Sequence, residues 1–455
     1  MTKIGGVEPA PTGFRARLRA ALTGSTARTA GWLTAWKLAK MASALFVGIW
    51  IARHLGPEDY GVYAYVMALM VVMTPLASFG LASAVTKDIT LEPGKIAEIL
   101  GTTAVLRLFG GALVAAIMVA IASFSTLNAE NLPLMAGVVA LGGIVGFGAL
   151  LEYLFVAKQV VKPFVLLSIS VIGLTALAKA AIMLAGGGIE PLIAASSAEF
   201  AAAGGAGVIA YWIWGGRLRD WRVNLARARL YLRRGVPLIA SGFTAAIYLK
   251  IDVIFLAEIR SAEEAGMYAV AARLSEIWFL LPPILMSAAF PRLLQLRRDA
   301  PGLYQRRLQL MFDGLAAAAT GVAVVMTLAA GPVVALLFGP AFAPAAAILM
   351  VHVWSSLFSF PRALVSKWFV AEDLYTLALL NNAFGALLNV VLNLILIPPY
   401  GAMGAAVATL ISYAAATVGA LALSRPGRPV AIMIVKALFW PRRLPDLLRL
   451  MRVRR

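Results

Sequence analysis

Six charged residues lie within long apolar segments of this chain of 455 residues, and they are its strongest candidates for chemistry. A charge at the centre of a bilayer costs roughly 2.5–3.5 kcal/mol on insertion scales, so it is expected to face an aqueous cavity or a partner. Cations placed there can hold an anionic ligand through charge-assisted hydrogen bonds, and carboxylates can take up a proton or a metal cation. The six are Lys179, Glu199, Lys250, Asp252, Arg273 and Glu276.

The spacing of these charges limits how they can pair. Arg273 and Glu276 are three residues apart, so on a helix they could simply neutralise each other. Lys250 and Asp252 are two apart and point to opposite sides of a helix, so at least one must face a cavity or another helix. Lys179 stands near the end of its apolar segment, where an ammonium that snorkels to the membrane surface is favoured.

The elements that position these charges are membrane helices. Hydrophobic residues make up 61% of the chain, charged residues only 13%, and the mean hydropathy is +0.87. Stretches of about 20 apolar residues match the hydrocarbon thickness of a bilayer, so the fold class is an all-α polytopic membrane protein. Twelve transmembrane helices are predicted, at 31–52, 62–84, 101–124, 133–156, 164–186, 191–214, 236–257, 266–288, 309–330, 343–361, 374–397 and 401–423.

The net charge of +19 would suggest a nucleic-acid partner in a soluble protein, but its distribution favours a membrane. Of 40 basic residues, 35 fall on the side that holds both termini, two (Arg53 and Arg260) fall in the opposite loops, and three lie within spans. By the positive-inside rule both termini are cytoplasmic, and no nucleic-acid partner is expected. Lys37, Lys40 and Arg107 are expected to line a cytoplasmic vestibule.

A sequence repeat divides the chain. The segment 55–64, LGPEDYGVYA, returns 205 positions later as RSAEEAGMYA at 260–269. Equivalent points are six predicted spans apart, so the two copies cross the membrane in the same sense, giving two six-helix lobes with pseudo-twofold symmetry. The predicted divisions are a basic N-terminal segment at 1–29, a first lobe at 30–214, a basic inter-lobe loop at 215–235, a second lobe at 236–424, and a basic interfacial or cytoplasmic tail at 425–455.

The two copies differ in charge. The positions equivalent to Lys250, Asp252, Arg273 and Glu276 are Leu45, Val47, Ala68 and Val71. A shared packing role would tend to leave the same residue types in both lobes, so the extra charges of the second lobe are interpreted as a substrate or ion site.

The sequence lacks the usual signs of an enzyme. No Gly-x-x-x-x-Gly-Lys phosphate loop is present, the two histidines are far apart, and there is no cysteine. We therefore expect no catalytic residue, no cofactor and no metal ligand.

Three segments resemble the Wzx-type oligosaccharide flippases, the polysaccharide-biosynthesis branch of the multidrug/oligosaccharidyl-lipid/polysaccharide exporter superfamily. They are LGPEDYGVYAYV at 55–66, LFGPAFAPAAAIL at 337–349, and LLNVVLNLILIPPYGAMGAAVATLISY at 387–413. In the last and most specific segment, Asn389 and Asn393 share a helix face, and small residues allow close packing of the twelfth span. Its motif positions are Asn389, Asn393, Pro398, Gly401 and Gly404.

This resemblance implies a protein of the bacterial inner membrane, with two lobes around a central cavity that opens alternately to the two sides, as in the multidrug (MATE) branch. The usual cargo of the family is an undecaprenyl-pyrophosphate-linked oligosaccharide, moved to the periplasmic leaflet for surface or exopolysaccharide synthesis. Membrane lipids and other glycan-assembly proteins are further expected partners. Arg273 is the first candidate to hold the pyrophosphate and Lys250 the second, followed by Lys179, Lys37 and Lys40. Asp252, Glu276 and Glu199 are candidates for ion coupling.

Three other functions remain open from the sequence. A multidrug/cation antiporter of the related branch would use the carboxylates to bind protons or sodium. A membrane glycosyltransferase or polymerase would need a cluster of carboxylates at a membrane interface, and the sequence has none. A non-transporting scaffold would use the basic loop at 215–235, and a reconstituted flipping assay would distinguish it from a flippase.

Overall fold

The computed structural model describes residues 25–127 and 129–443, and every regular element among them is a helix. Ten of these helices are long and apolar enough to cross a membrane. The structure therefore confirms the predicted all-α membrane fold. Most of the N-terminal segment and residues 444–455 of the tail lie outside the described residues.

The helices of the first half are α1 (Ser25–Ser78), α2 (Ala82–Leu91), α3 (Ile96–Ser123), α4 (Leu132–Val145), α5 (Leu151–Lys158), α6 (Lys162–Leu184) and α7 (Ile189–Ile213). Those that follow are α8 (Leu225–Ile259), α9 (Ala262–Glu276), α10 (Leu281–Asp299), α11 (Pro301–Phe338), α12 (Ala345–His352), α13 (Ser356–Ala371), α14 (Tyr375–Ala414), α15 (Ala420–Leu423) and α16 (Arg428–Leu438). Short 3-10 turns join α4 to α5, α9 to α10 and α12 to α13.

Two of the ten long helices contain a backbone break. Gly56 in α1 has φ 76° and ψ 176°, and Gly401 in α14 has φ 54° and ψ −136°. Such positive φ values favour glycine, and Pro57 begins the helix that follows the first break. The predicted loops after the first and eleventh spans are thus reduced to single glycines. The count of twelve spans stays a prediction.

The connections define two sides of the molecule. The elbow side carries the repeated segments 55–64 and 260–269, and there His54 Nε2 donates to the Gly187 carbonyl at 2.8 Å. The basic side carries the connections 92–95, 215–224 and 372–374, where Arg297 donates two hydrogen bonds of 3.0 Å to Glu372. Consecutive connections alternate between the two sides.

The helix α8 begins at Leu225, well before the predicted span start at 236. Asn224 caps it by accepting a hydrogen bond from Arg227 N at 3.1 Å. Arginine is a good helix former, and the Arg227 guanidinium lies 3.0 Å from Glu92 and 2.8 Å from Glu98 of the first half. Hydrogen bonds from Arg227, and then from Lys95, lower the pKa of Glu92 to about 2. The predicted loop at 215–235 therefore contains the start of a helix; the division into lobes stays a prediction.

The hydrophobic cores differ between the two sides. Toward the elbow side, one core joins both halves, with Tyr65 and Leu69 from α1 packed in the same cluster as Leu256 and Val270. Toward the basic side there are two cores, one of first-half residues together with Tyr231 of α8, and one of second-half residues. The halves therefore share a single core at the elbow side, whereas at the basic side the start of α8 packs on the first half and the rest of the second half has its own core.

The described part of the tail packs on α11. Along α16, Val430, Ile434 and Ala437 are buried, and the Met433 carbonyl accepts a hydrogen bond from Gln309 Nε2 at 3.0 Å. The predicted interfacial position of this tail stays a prediction.

Candidate functional site

A cavity of about 550 Å³ lies between the two halves. It is lined by α1, α6 and α7 from the first half and by α8, α9 and the turn after α9 from the second. Five of the six charged residues singled out within apolar segments reach it, together with Lys40. The charged residues of its wall are Lys40, Lys179, Glu199, Lys250, Arg273 and Glu276.

The first-half wall contains a buried ion pair. Lys179 Nζ lies 2.6 Å from Glu199 Oε2, and Lys179 is only 6% exposed. The predicted snorkelling of Lys179 to the membrane surface is therefore wrong. A carboxylate on the neighbouring helix α7 satisfies the ammonium inside the protein, so the lysine has no need to reach water.

The second-half wall contains another ion pair. Lys250 Nζ of α8 lies 3.1 Å from Glu276 Oε2 at the end of α9. The alternative in which Glu276 neutralises Arg273 is therefore wrong, although the two are three residues apart. Packing of α8 beside α9 brings a lysine to Glu276 and leaves Arg273 to face the first half.

Arg273 extends across the cavity to the first half. Its Nη1 donates to the Ala44 carbonyl of α1 at 3.3 Å, and its guanidinium carbon lies 5.9 Å from the centre of the Tyr60 ring. A Cβ added to Gly48 would overlap this guanidinium. Within the described residues, Arg273 has no carboxylate within 4 Å.

Lys40 and Lys37 lie on α1, toward the basic side of the molecule. Lys40 lines the cavity itself, whereas Lys37, about one turn earlier on α1, does not. Both interact electrostatically with Glu152 of α5, as does Arg107. The structure thus separates these two lysines, which the sequence grouped together.

Asp252 lies outside the cavity, buried within the second half at 3% exposure. Its carboxylate accepts hydrogen bonds from Tyr268 Oη at 2.6 Å, from Thr409 Oγ1 at 2.8 Å and from Asn393 Nδ2. Asn393 Nδ2 also donates to Asn389 Oδ1 at 3.1 Å. The two asparagines of the sequence motif thus form one polar cluster with Asp252, which the sequence did not connect with them.

The remaining motif residues lie at the elbow side. The Pro398 carbonyl accepts a hydrogen bond from Arg260 Nη1 at 3.3 Å, and the break at Gly401 frees Ala402 N to donate to Glu264 Oε2 at 2.9 Å. A Cβ at Gly404 would overlap the Leu396 carbonyl. These positions shape the backbone around the turn into the last span.

The elbow segments close one end of the cavity by two equivalent contacts. A Cβ at Gly61 would overlap the Ala262 carbonyl, and a Cβ at Gly266 would overlap the Pro57 carbonyl. An offset of 205 relates position 57 to 262 and position 61 to 266, so the two contacts are the same contact made twice. Each depends on the missing side chain of a glycine.

Glu258 adds a polar link beside this contact. Its carboxylate accepts hydrogen bonds from Tyr65 Oη, from Ser125 Oγ at 2.7 Å and from Thr126 N at 2.9 Å. All three donors belong to the first half. Opening of the cavity to the elbow side must therefore break this link as well as the glycine contacts.

Sequence reasoning missed Gly48, Tyr60, Ser196 and Glu258. The available signal was the repeat, which makes Tyr63 equivalent to Tyr268. Tyr63 leads to Ser196, because its Oη lies 2.9 Å from Ser196 Oγ.

Comparison with known proteins agrees with this fold. The "Probable flippase AglR" of Haloferax volcanii is 32% identical over 173 residues, which are 36% of this chain and 35% of that relative. Thus the match spans about a third of the relative's length.

Solved structures share the fold over most of the chain. "Lipid II flippase MurJ, inward closed conformation" has a TM-score of 0.68 and 12% identity, covering 89% of this chain and 91% of that one. An inward-facing multidrug resistance MATE transporter of the MOP superfamily has a TM-score of 0.61 and 17% identity, covering 90% and 95%. A MOP superfamily transporter from Pyrococcus furiosus has a TM-score of 0.59 and 16% identity, covering 97% and 99%.

The prediction of a multi-pass membrane protein agrees with these findings. Residues 26–297 match the family described as "Polysaccharide biosynthesis protein". This match covers more than half of the chain, so the chain belongs to the polysaccharide biosynthesis protein family.

Proposed function

We propose that this protein is a flippase that moves a polyprenyl-diphosphate-linked oligosaccharide from the cytoplasmic leaflet to the opposite leaflet. The observation that carries the proposal is the charge of the central cavity. Four cations and two carboxylates line it, which leaves a net charge of +2. An apolar wall with a few convergent cations suits an anionic headgroup.

The pairing of these charges makes Arg273 the principal anion-binding group. Lys179 and Lys250 are each neutralised by a glutamate, whereas among the described residues Arg273 donates to a neutral carbonyl and to no carboxylate. Its planar guanidinium can offer two parallel hydrogen bonds to a diphosphate, which a lysine cannot. Lys40 supplies a second cation nearer the basic side.

The direction of transport follows from the charges of the two sides and from the packing between the halves. The basic side holds nearly all the basic loops and corresponds to the cytoplasm by the positive-inside rule. The halves share one core at the elbow side, whereas most of the second half has its own core at the basic side, and this packing suits loading of cargo from the cytoplasm. A cavity of about 550 Å³ has room for a headgroup, so the polyprenyl tail stays in the bilayer during transport.

Asp252 is the best candidate for coupling to a cation gradient. Its buried carboxylate lies among the amide and hydroxyl groups of Asn393, Thr409 and Tyr268, and Asn393 Oδ1 is a buried acceptor with no hydrogen-bond donor among the described residues. Oxygen ligands of this kind suit a hard cation, and a buried carboxylate can alternatively take up a proton. Binding there would act on the packing of α8, α9 and α14.

A multidrug/cation antiporter is less well supported. A cavity for cationic drugs needs carboxylates free to pair with them, whereas Glu199 and Glu276 are each paired with a lysine. The excess of positive charge would oppose entry of a cation.

A flipping assay in proteoliposomes tests the proposal. The probe is undecaprenyl diphosphate bearing a fluorescent disaccharide, and an impermeant quencher reports the fraction of probe in the outer leaflet. We expect the wild-type protein to make nearly all the probe accessible and Arg273→Ala to leave only the outer-leaflet half quenched. Arg292→Ala is the matched control, since Arg292 is an exposed arginine of α10 outside the cavity. Normal flipping by Arg273→Ala would contradict the assigned role.

A further inference from the structure

The Arg273 guanidinium occupies a space that only a glycine at position 48 leaves open. In a helix, each side chain covers the turn on the N-terminal side of its own Cα, so a side chain at 48 would cover the carbonyl of residue 44. A Cβ on Gly48 would overlap the guanidinium, and Arg273 Nη1 donates to the Ala44 carbonyl at 3.3 Å. The missing Cβ therefore gives Arg273 access to α1.

This contact occurs once in the molecule. The repeat places Val253 opposite Gly48 and Ala68 opposite Arg273, so neither the gap nor the arginine has a counterpart in the other half. The contact lies beside the core that both halves share, because Val47 and Ile49 pack against that core and Ala272 belongs to it. It is a polar tie between α1 and α9 across the cavity wall.

The strength of the tie is limited by its acceptor. A carbonyl within a helix is neutral and already accepts a backbone hydrogen bond, whereas a diphosphate oxygen is anionic and forms hydrogen bonds roughly twice as strong. An anion in the cavity can therefore take the guanidinium away from Ala44.

We propose that Gly48 is a positioning residue that makes Arg273 a displaceable tie between the halves. An anionic cargo that binds the Arg273 guanidinium releases Ala44 and removes this hydrogen bond between α1 and α9, while the glycine contacts at the elbow side remain. This inference rests on the proposed function, because the anion is the diphosphate of the cargo. It adds a means by which the cargo itself loosens the two halves.

The experiment measures the distance between α1 and α10. The chain has no cysteine, so cysteines placed at Ala42 and Ala288, both exposed, carry the only two spin labels. Distances are recorded by double electron–electron resonance in nanodiscs, with and without inorganic pyrophosphate. In the parent protein, we expect pyrophosphate to shift the distribution to longer distances.

Gly48→Ala is expected to give the longer distance without ligand and to remove the response to pyrophosphate, while pyrophosphate binding measured by calorimetry is retained. Gly173→Ala is the matched control, since a Cβ added there meets nothing within 4 Å. Arg273→Gln keeps Gly48 and places no new atom against α1; it should also lengthen the ligand-free distance, and it should weaken pyrophosphate binding about tenfold or more.

The two proposals fail in different ways. A ligand-free distance in Gly48→Ala and Arg273→Gln equal to that of the parent would overturn the tie. So would Arg273-dependent binding of pyrophosphate that leaves the parent distance unchanged. Pyrophosphate binding that does not depend on Arg273 would instead contradict the proposed function, and the ligand-free distances would still test the tie.

Discussion

In the first half, the Tyr63 hydroxyl lies 2.9 Å from Ser196 Oγ; in the second half, the equivalent Tyr268 hydroxyl donates to the Asp252 carboxylate at 2.6 Å and lies 3.2 Å from Thr409 Oγ1. The two equivalent tyrosines of the repeat therefore form hydrogen bonds with a neutral hydroxyl in the first half and with a buried carboxylate in the second. Val47 stands where Asp252 would be in the first half.

At the elbow side the two halves remain alike. Gly61 and Gly266 each pack against a backbone carbonyl of the opposite half, and the two contacts are related by the repeat. A contact between backbones tolerates little change, because any Cβ would force the helices apart. Interior polar positions can change one at a time. The two halves thus keep the same contact where they close the cavity, whereas the positions of Asp252 and Arg273 are charged in the second half alone.

The largest expected effect comes from the residue that distinguishes the halves. Asp252→Asn should lower flipping about tenfold or more and remove its dependence on the coupling cation, because the amide carries no charge for a cation or proton to neutralise. The measurement is the flipping rate in proteoliposomes with imposed sodium or proton gradients.

Ser196→Ala is the matched control in the first half, since it removes the partner of Tyr63. It should leave the cation dependence intact. Equal loss of cation dependence in Ser196→Ala and Asp252→Asn would break the distinction between the halves.

A second prediction tests what the halves share. Gly61→Ala and Gly266→Ala should each favour the conformation open to the elbow side by about 1–3 kcal/mol, a shift of roughly 5–150-fold, because each added methyl meets a carbonyl. The measurement is the rate at which an impermeant thiol reagent, added at the elbow side, labels a cysteine placed at Ala64 in the cavity wall.

Gly331→Ala serves as the control, since its added Cβ meets nothing within 4 Å. Because the two elbow contacts are equivalent, the two test variants should behave alike. Faster labelling in only one of them would contradict their equivalence.

A third, smaller effect compares the two tyrosines directly. Tyr268→Phe removes a donor to a buried carboxylate and should destabilise the protein by about 1.5–3 kcal/mol, whereas Tyr63→Phe removes a bond between two hydroxyls and should cost about 0.5–1.5 kcal/mol. Thermal unfolding of the purified variants in detergent measures both. A larger loss for Tyr63→Phe would contradict the assignment of Asp252 as the charged centre of the second half.

The sequence predicted the helical class, the two copies and most of the charged lining, because apolar length and in-membrane charge are local signals. It placed Lys250 and Asp252 on opposite sides of one helix, and the structure has one in the cavity and the other in the protein interior. The prediction that Lys179 snorkels was wrong, because Glu199, which pairs with this lysine inside the protein, lies on another helix. The gap at Gly48 depends on an arginine 225 residues away, and no local pattern reports such a contact.

The early start of α8 also depends on contacts between residues that are distant in the sequence. The ion pairs that hold this start give the smallest of the expected effects. Each half has a carboxylate at the basic side that holds an arginine: Glu92 lies 3.0 Å from Arg227, and Glu372 lies 3.0 Å from Arg297. Arg227 also lies 3.6 Å from Asp88 and 2.8 Å from Glu98, so the first-half site has a denser group of carboxylates.

The pKa of Glu92, about 2, is lower in the folded protein than in an unfolded chain, where a glutamate titrates near 4.3. The stabilisation from this group is therefore present above about pH 4.3 and is lost as the pH falls toward 2. At pH 7, Glu92→Gln should accordingly have a lower midpoint of thermal unfolding than wild type. The difference between the two midpoints should narrow as the pH falls below about 4. The contribution is small, because the group is exposed and salt screens it. A difference between wild type and Glu92→Gln that stays constant from pH 7 to pH 3 would contradict the ion pair with Arg227 and leave the start of α8 held by Glu98 and Asp88 alone.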